Sequence, residues 1–161
     1  MAEPCLAVIA LGSNLGDREA SLASGVRHLA EAPGVELTAI SPFHDTTALK
    51  PYGYDDDAPR YLNAVALIST TLDPGELLEL CMTIERAHGR LRLERWGDRT
   101  LDVDIITMGD VHLATEQLEL PHPRAHERDF VLRPWLDVDP DAVLPGHGRV
   151  DELLSAMEDH A

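Results

Sequence analysis

The segment 100–109, TLDVDIITMG, constrains the fold most, because acidic and apolar residues alternate along its first half. Side chains on a β-strand point alternately to the two faces of the sheet. Asp102 and Asp104 are therefore expected on one face, with the apolar residues beside and between them on the other. The apolar face of such a strand is expected to project into the core.

Three further apolar runs have the length and composition of strands. They cover residues 5–12, 35–49 and 61–70 and are bounded by residue types that favour turns. The Gly-Ser-Asn that ends the first run is interpreted as a tight turn from strand to helix. The stretch 50–60 combines Pro, Gly and three successive Asp residues, a composition typical of a surface loop.

Apolar residues with helical spacing follow two of these runs and recur toward the end of the sequence. Helices are predicted over about 17–32, 73–89 and 127–138, and a last one from about Asp151. The second begins with Asp-Pro-Gly-Glu, which has the form of a capping box.

The order of these elements indicates the fold class. Strands in the middle of the chain follow one another without a helix between them, which implies antiparallel pairing. An α+β sandwich is the prediction. The length of 161 residues is that of one domain, so residues 1–161 are expected to form a single domain.

Charge and cysteine content exclude several classes of protein. The net charge of -16 opposes binding to nucleic acid or to anionic membranes. No apolar run approaches the length of a membrane span, and no secretory leader is recognised. Cys5 and Cys81 lack the paired spacing of a zinc site and are interpreted as buried hydrophobes in a reducing compartment. The expected location is the cytoplasm.

The two carboxylates of 100–109 predict a metal site. Like charges at this spacing repel each other unless a cation lies between them. Mg²⁺ fits best, because it takes one or two protein carboxylates and fills its other positions with water and substrate phosphates. A nucleotide is thereby implied. The alternative, which the Asp-x-Asp pattern taken alone favours, is a solvent-facing strand without a metal.

Basic residues directly before the carboxylates favour the metal and nucleotide interpretation. Their planar guanidinium groups suit phosphate oxygens, although each could instead pair with an acidic side chain at the surface. They are Arg86, Arg90, Arg92, Arg95 and Arg99. A P-loop is excluded, because the chain has no GxxxxGK[ST] motif and its only lysine is Lys50.

Histidines and arginines also alternate in LPHPRAHERDF. They are His122, Arg124, His126 and Arg128. Their spacing is compatible with zinc, but no cysteine or other suitable third ligand accompanies them. Contacts with phosphate are the preferred interpretation.

Four segments resemble one enzyme family in their order and spacing: LGSNLGD, YLNAV, RWGDRTLDVDII and LPHPRAHERDFVLRPW. The sequence is similar to the 6-hydroxymethyl-7,8-dihydropterin pyrophosphokinases of the folate pathway. The resemblance implies a ferredoxin-like α+β sandwich with a mainly antiparallel sheet. It also implies transfer of pyrophosphate from ATP to the hydroxymethyl group of the pterin, with release of AMP and with two Mg²⁺ ions.

The resemblance implies roles for individual residues as well. Those matching the family's catalytic and magnesium-binding positions are Arg90, Arg99, Asp102 and Asp104, the two aspartates being the metal ligands. Those matching the pterin site are Thr46, Leu49, Tyr61, Asn63, Trp96 and Phe130. Those matching the ATP site are Glu85, Arg92, Arg95, His122 and Arg128. For Trp96 and Phe130, ordinary core packing is the alternative.

The sequence departs from the family pattern at three places. Thr47-Ala48 replaces common prolines, Asp98 replaces a proline before Arg99, and Gln117 lies where some relatives have an arginine. Asp98 adds a negative charge beside the expected phosphate site, although an outward-facing aspartate is the simpler expectation.

Two other functions stay open at the level of sequence. One is a magnesium-dependent phospho- or nucleotidyltransferase that acts on a different small alcohol. The other is a nucleotide sensor that kept the fold without catalysis. The expected partners are ATP and the pterin only, and the expected state is a monomer.

Overall fold

The computed structural model describes residues 3–13, 18–46, 49–50, 53–54, 61–89 and 101–159. The strands are β1 (Cys5–Ser13), β2 (Val35–Ile40), β3 (His44–Thr46), β4 (Leu49–Lys50), β5 (Gly53–Tyr54), β6 (Tyr61–Thr70), β7 (Asp102–Met108), β8 (Leu113–Ala114), β9 (Glu119–Leu120), β10 (Val143–Leu144) and β11 (Gly148–Arg149). The helices are α1 (Arg18–Glu31), α2 (Pro74–Gly89), α3 (Asp129–Val138) and α4 (Val150–Asp159), with a 3₁₀ turn at Ala125–Glu127.

The main sheet has the strand order β2-β6-β1-β7, and β3 also pairs with β6. All its pairings are antiparallel. Helix α1 connects β1 to β2, two strands separated in the sheet by β6. Helix α2 connects β6 to β7, which are separated by β1. These two split β-α-β units make the fold ferredoxin-like, and the predicted α+β class is confirmed.

Each face of the sheet has its own apolar core. The first cluster joins α1 and α2 to the sheet through side chains such as Leu22, Ile84 and Ile9. The second cluster joins α3 and α4 to the opposite face through side chains such as Leu132, Leu154 and Val65. The sheet is therefore the middle of three layers.

The start of α2 agrees with the predicted capping box. The N–H of Glu76 donates to Oδ1 of Asp73 at 2.7 Å, and the N–H of Asp73 donates to Oε1 of Glu76 at 2.9 Å. Two N–H groups that the first helical turn leaves without intrahelical acceptors are satisfied in this way.

The prediction of one continuous extended segment over 35–49 is wrong. The strand is interrupted between β2 and β3 at Ser41-Pro42-Phe43. Pro42 has no N–H for a sheet hydrogen bond, and the hydroxyl of Ser41 instead accepts the N–H of Val65 at 2.9 Å. The predicted loop 50–60 also contains structure where it is described, because β4 and β5 pair as a short hairpin.

The predicted turn from strand to helix at Gly-Ser-Asn does not begin at its first two residues, and Asn14 lies outside the described residues. Gly12 and Ser13 belong to β1 and pair with Asn63 and Leu62 of β6. The helix predicted over 127–138 is divided into the 3₁₀ turn and α3. The other predicted helices agree with the structure within one or two residues.

Two expectations from the bulk sequence can be compared with the structure. Cys81 is buried and Cys5 partly exposed, and both are free thiols. Among the described residues, no helix has the length and apolar character needed to span a membrane.

Candidate active site

The two aspartates of β7 lie as predicted from the alternation. Val103 and Ile105 are buried in the first cluster, whereas Ile106 belongs to the second. Asp102 and Asp104 alternate with the former pair, so they share the face of the second cluster, and both are half-buried. The predicted two-carboxylate surface is confirmed.

The register of the sheet aligns one of these aspartates with the predicted pterin-binding asparagine. Asn63 is opposite Gly12 on one side and opposite His44 on the other, and Gly12 is opposite Asp102. Directly paired residues of antiparallel strands have side chains on the same face. His44, Asn63, Gly12 and Asp102 thus form one row across four strands, which we call the site row.

Residues of the site row are held by neighbouring elements. Asn63 is 6% exposed, and His44 pairs through Nε2 with the Oδ2 atom of Asp137 in α3. Thr46 and Tyr61 pair with each other two residues beyond the His44–Asn63 pair on β3 and β6. For Thr46, Leu49 and Tyr61 the structure describes the backbone only.

His122 lies beside the open side of β7. The backbone N–H of His122 donates to the carbonyl oxygen of Ile106 at 2.8 Å. This bond holds the segment that contains His122 along the edge of the sheet. Burial lowers the pKa of His122, Asp104 opposes that shift, and Arg128 reinforces it. The imidazole is therefore close to both a predicted metal ligand and a predicted phosphate-binding arginine.

Arg128 and Phe130 contact each other at the beginning of α3, where Arg128 is the N-cap residue and Phe130 lies in the first turn. The guanidinium carbon of Arg128 lies 5.7 Å from the ring centroid of Phe130, a cation–π distance. Phe130 is half-buried and packs against the second cluster. The core-packing alternative thus describes part of what Phe130 does, while part of its surface stays accessible.

Glu85 reaches the same edge of β7 from the other face. Its Oε2 atom accepts the N–H of Val103 at 2.8 Å. An edge strand presents N–H groups that no neighbouring strand accepts, and Glu85 satisfies one of them. This structural role was not predicted from the sequence, which gave no indication that α2 would contact the β7 backbone.

A buried thiol lies near both acidic groups. Burial raises the pKa of Cys81 to about 12, and the negative charges of Glu85 and Asp104 contribute further. The carboxylates of Glu85 and Asp104 therefore both lie close enough to Cys81 to affect its pKa.

Several predicted site residues lie outside the described part of the chain. They are Arg90, Arg92, Arg95, Trp96 and Arg99, together with the departures Thr47-Ala48 and Asp98. Gln117 is described and is exposed in the turn between β8 and β9.

The structure does not favour the zinc alternative for LPHPRAHERDF. His126 stacks on His147, with ring centroids 4.1 Å apart and planes inclined by 11°, whereas the pKa of His122 responds to the charge of Asp104. An open pocket of about 460 Å³ is lined by His122, His147 and Glu119, among others. Within the described ranges, no three His, Cys, Asp or Glu side chains are grouped to hold a metal ion.

The chemistry of Asp102 and Asp104 fits magnesium. Both supply hard oxygen ligands from one face of β7, and no third His, Cys, Asp or Glu side chain groups with them in the part of the chain that the structure describes. Mg²⁺ is commonly bound by one or two carboxylates, with water and phosphate oxygens completing an octahedron. An incomplete protein shell is what a phosphate-bound magnesium requires.

Comparison with known proteins places the chain in a family. Residues 8–140 match the model of the family described as 7,8-dihydro-6-hydroxymethylpterin-pyrophosphokinase (HPPK). The chain belongs to this family. The match includes the site row, Glu85, His122 and Phe130.

Curated members of the HPPK family resemble the chain over most of its length. A 2-amino-4-hydroxy-6-hydroxymethyldihydropteridine pyrophosphokinase of Methylorubrum extorquens is 42% identical over 152 residues, which cover 94% of this chain and 93% of the relative. The Bacillus subtilis enzyme of the same name is 46% identical over 133 residues, covering 83% of this chain and 77% of the relative.

Solved structures agree in fold. The wild-type Plasmodium falciparum HPPK-DHPS, crystallised with pterin and p-hydroxybenzoate, superposes with a TM-score of 0.74 at 15% identity. The superposition covers 99% of this chain and 45% of the solved chain, so this chain spans less than half of that protein. At this identity the likeness concerns the HPPK fold alone.

Proposed function

We propose that this chain transfers the pyrophosphoryl group of ATP to the hydroxymethyl oxygen of 6-hydroxymethyl-7,8-dihydropterin, with the described residues of the site row at the centre of the reaction. It is an ATP-dependent diphosphokinase of folate biosynthesis. The family supplies the reaction, and the assignment of residues to roles is the part that we propose.

The observation that carries the proposal is the site row. Asn63 and Asp102 lie on the same face of the sheet with one strand between them. Neighbouring strands are about 4.8 Å apart, so the two backbones are separated by roughly 10 Å. A pterin bound at Asn63 and a phosphate bound through the metal at Asp102 would meet above Gly12.

Asn63 suits the recognition of a pterin edge. Its amide offers both a donor and an acceptor, and its burial keeps water from competing for them. Phe130, at the start of α3, supplies an aromatic surface for a planar heterocycle. Thr46, Leu49, Tyr61 and Trp96 complete the proposed pterin site.

The proposed ATP site lies along the open edge of β7. Arg128 and His122 provide polar groups near Asp104, and Glu85 borders the edge from α2. Guanidinium groups bind phosphate oxygens in pairs of hydrogen bonds. Arg90, Arg92, Arg95 and Arg99 are proposed to add further cationic contacts to the phosphates.

The transfer needs no covalent intermediate on the protein. The hydroxymethyl oxygen forms a bond to the β-phosphorus of ATP, the bond from that phosphorus to the α,β-bridging oxygen breaks, and AMP leaves. The hydroxyl proton is released to solvent. Asn63 orients the acceptor, and the cationic side chains stabilise charge that develops on the phosphates.

Magnesium contributes charge neutralisation to this reaction when it is bound. Asp102 and Asp104 would hold it, and we propose two ions, because the transferred pyrophosphoryl group carries several anionic oxygens, whose negative charge cations and not carboxylates can neutralise. We also propose that the chain acts as a single-domain monomer in the cytoplasm, and the free thiols of Cys5 and Cys81 agree with a reducing compartment.

The test is AMP formation from MgATP with and without 6-hydroxymethyl-7,8-dihydropterin. We expect pterin-dependent AMP with the wild type and a loss of at least about a hundredfold in the Asp102→Ala/Asp104→Ala variant. A matched control, Glu36→Ala/Glu152→Ala, removes the same charge from exposed positions and should keep full activity.

Two results would contradict the proposal. Wild-type protein that binds MgATP but forms no AMP with the pterin would indicate another acceptor or a sensor. Full activity in the double aspartate variant would remove Asp102 and Asp104 from the metal site.

A further inference from the structure

Gly12 occupies the middle of the site row, between the proposed pterin contact and the proposed metal ligand. It pairs with Asn63 on β6 and with Asp102 on β7. Four described glycines have positive φ, and Gly12 is not one of them. Its backbone conformation is therefore accessible to other residues, and the reason for glycine must lie in its surroundings.

Those surroundings identify one neighbour. A Cβ atom built on Gly12 would lie 2.7 Å from Oδ1 of Asn63, a separation that real Cβ atoms essentially never show. The next atoms are 3.8 Å away, which is ordinary van der Waals contact. The side chain of Asn63 thus lies over Gly12, in the space that any other residue at this position would fill.

We propose that Gly12 is a positioning residue for the pterin: the absence of its side chain lets the amide of Asn63 lie across β1 toward the row position of Asp102. This inference rests on the proposed function of Asn63. Gly12 itself need not touch the substrate, because its effect passes through the asparagine.

Burial makes this effect strong. Asn63 is 6% exposed, so its amide cannot swing into solvent to avoid a new methyl group. Either the amide rotates within the buried site or β1 and β6 move apart. Both changes misplace the groups that would hydrogen-bond the pterin, and neither directly changes the ATP side at Arg128 and His122.

The experiment compares steady-state kinetics of Gly12→Ala and wild type. We expect the KM for the pterin to rise about tenfold, equivalent to ~1.4 kcal/mol, while the KM for ATP stays within about twofold. An unchanged pterin KM would overturn the inference. An equal rise of both KM values would also overturn it, because a general disturbance of the fold would then be sufficient.

A double-variant cycle isolates the contact. Asn63→Ala removes the atom that a methyl group at position 12 would meet, so Gly12→Ala on that background should change the pterin KM by less than about twofold. If the effects of the two single variants multiply in the double variant, the two residues act independently and the inference is wrong.

Gly34 provides a matched control for loss of stability. Its φ is 81°, and a Cβ there would lie 2.9 Å from Leu72, at the end of the sheet away from the site row. Gly34→Ala should lower the melting temperature and leave both KM values unchanged. A pterin KM that also rises in this control would show that instability alone explains the result for Gly12.

Stability measurements keep the inference testable if Gly12→Ala does not fold. The Gly12→Ala/Asn63→Ala double variant should then be recovered folded, with a melting temperature near that of Asn63→Ala, and an unfolded double variant would overturn the inference. Wild-type protein that forms no AMP with the pterin would instead refute the proposed function, and the stability cycle would still test the contact between Gly12 and Asn63.

Discussion

The two faces of the main sheet use the same three strands in different ways. On the face of α1 and α2, apolar residues occupy consecutive positions along the middle of the sheet, with the buried polar residues Ser13 and Thr70 only at its two ends. The successive positions are Ala7, Ile9 and Leu11 on β1, Ile68, Ala66 and Ala64 on β6, and Ile105, Val103 and the preceding Leu101 at β7.

On the opposite face, polarity changes along each strand. The successive positions are Val8, Ala10 and Gly12 on β1, Leu67, Val65 and Asn63 on β6, and Ile106, Asp104 and Asp102 on β7. The apolar end packs against α3 and α4, and the polar end forms the site row. One face thus stabilises the sheet, and the other divides its length between packing and chemistry.

Single substitutions at two adjacent residues of β7 should separate the stabilising role of one face from the catalytic role of the other. Ile105→Ala removes a buried side chain of the first cluster and should lower the free energy of unfolding by ~2–5 kcal/mol. Asp104→Asn keeps the shape and removes one of two neighbouring like charges, so stability should be equal or higher, while AMP formation falls by about a hundredfold or more.

Urea denaturation and the AMP assay on folded protein measure both quantities. Ile105→Ala should retain activity per folded molecule at a temperature where it is fully folded. The comparison between the faces fails if Asp104→Asn is as destabilising as Ile105→Ala, or if both variants lose activity equally.

Local sequence patterns predicted individual elements well. Alternation along 100–109 identified β7 and its two faces, and the capping box identified the start of α2. Both depend on residues close together in the chain. The interruption at Pro42 and the continuation of β1 through Ser13 were missed, because each depends on how β1, β2 and β6 pair rather than on the local composition.

The sequence predicted which residues belong to the candidate site, but it did not predict how they lie relative to one another. Asn63 and Asp102 were matched to the family from their motifs, yet only the sheet register places them in one row with Gly12. Register is decided by tertiary pairing, which a single strand pattern does not contain. The contact from Glu85 to Val103 was unpredicted for the same reason, because it joins a helix to a strand edge.

Variants of Glu85 test how much the hydrogen bond from the edge of β7 to helix α2 contributes to stability. Glu85→Ala removes the acceptor of the Val103 N–H and should lower the free energy of unfolding by ~1–2 kcal/mol. Glu85→Gln retains an acceptor oxygen at the same chain length and should recover most of that loss. Denaturation of both variants measures the difference.

The same Glu85 variants address the proposed ATP role. A changed KM for ATP in Glu85→Gln, at nearly wild-type stability, would support a contact between the carboxylate and the nucleotide. If Gln proves as destabilising as Ala, the hydrogen bond to Val103 does not account for the stabilising effect of Glu85.

Substitution of Cys81, which is buried in the first cluster, gives the smallest expected effect. Burial raises the pKa of its thiol to about 12 from an ordinary value of 9.0, with Glu85 and Asp104 contributing. Above the ordinary pKa the unfolded chain loses this proton and the folded chain keeps it. Stability is therefore complete below pH 9 and decreases as the pH rises toward 12, by ~1.4 kcal/mol per pH unit at most.

Comparing wild type with Cys81→Ala isolates this thiol from all other groups that titrate at alkaline pH. The difference in unfolding free energy between the two proteins, measured in urea from pH 7 to pH 10, should shift by about 1 kcal/mol in favour of the variant at the upper end. A constant difference would mean that the thiol ionises equally in both states, and hence that water reaches the first cluster beneath β7. The apolar packing between α2 and the sheet would then be open to water at the edge of β7 that Glu85 contacts.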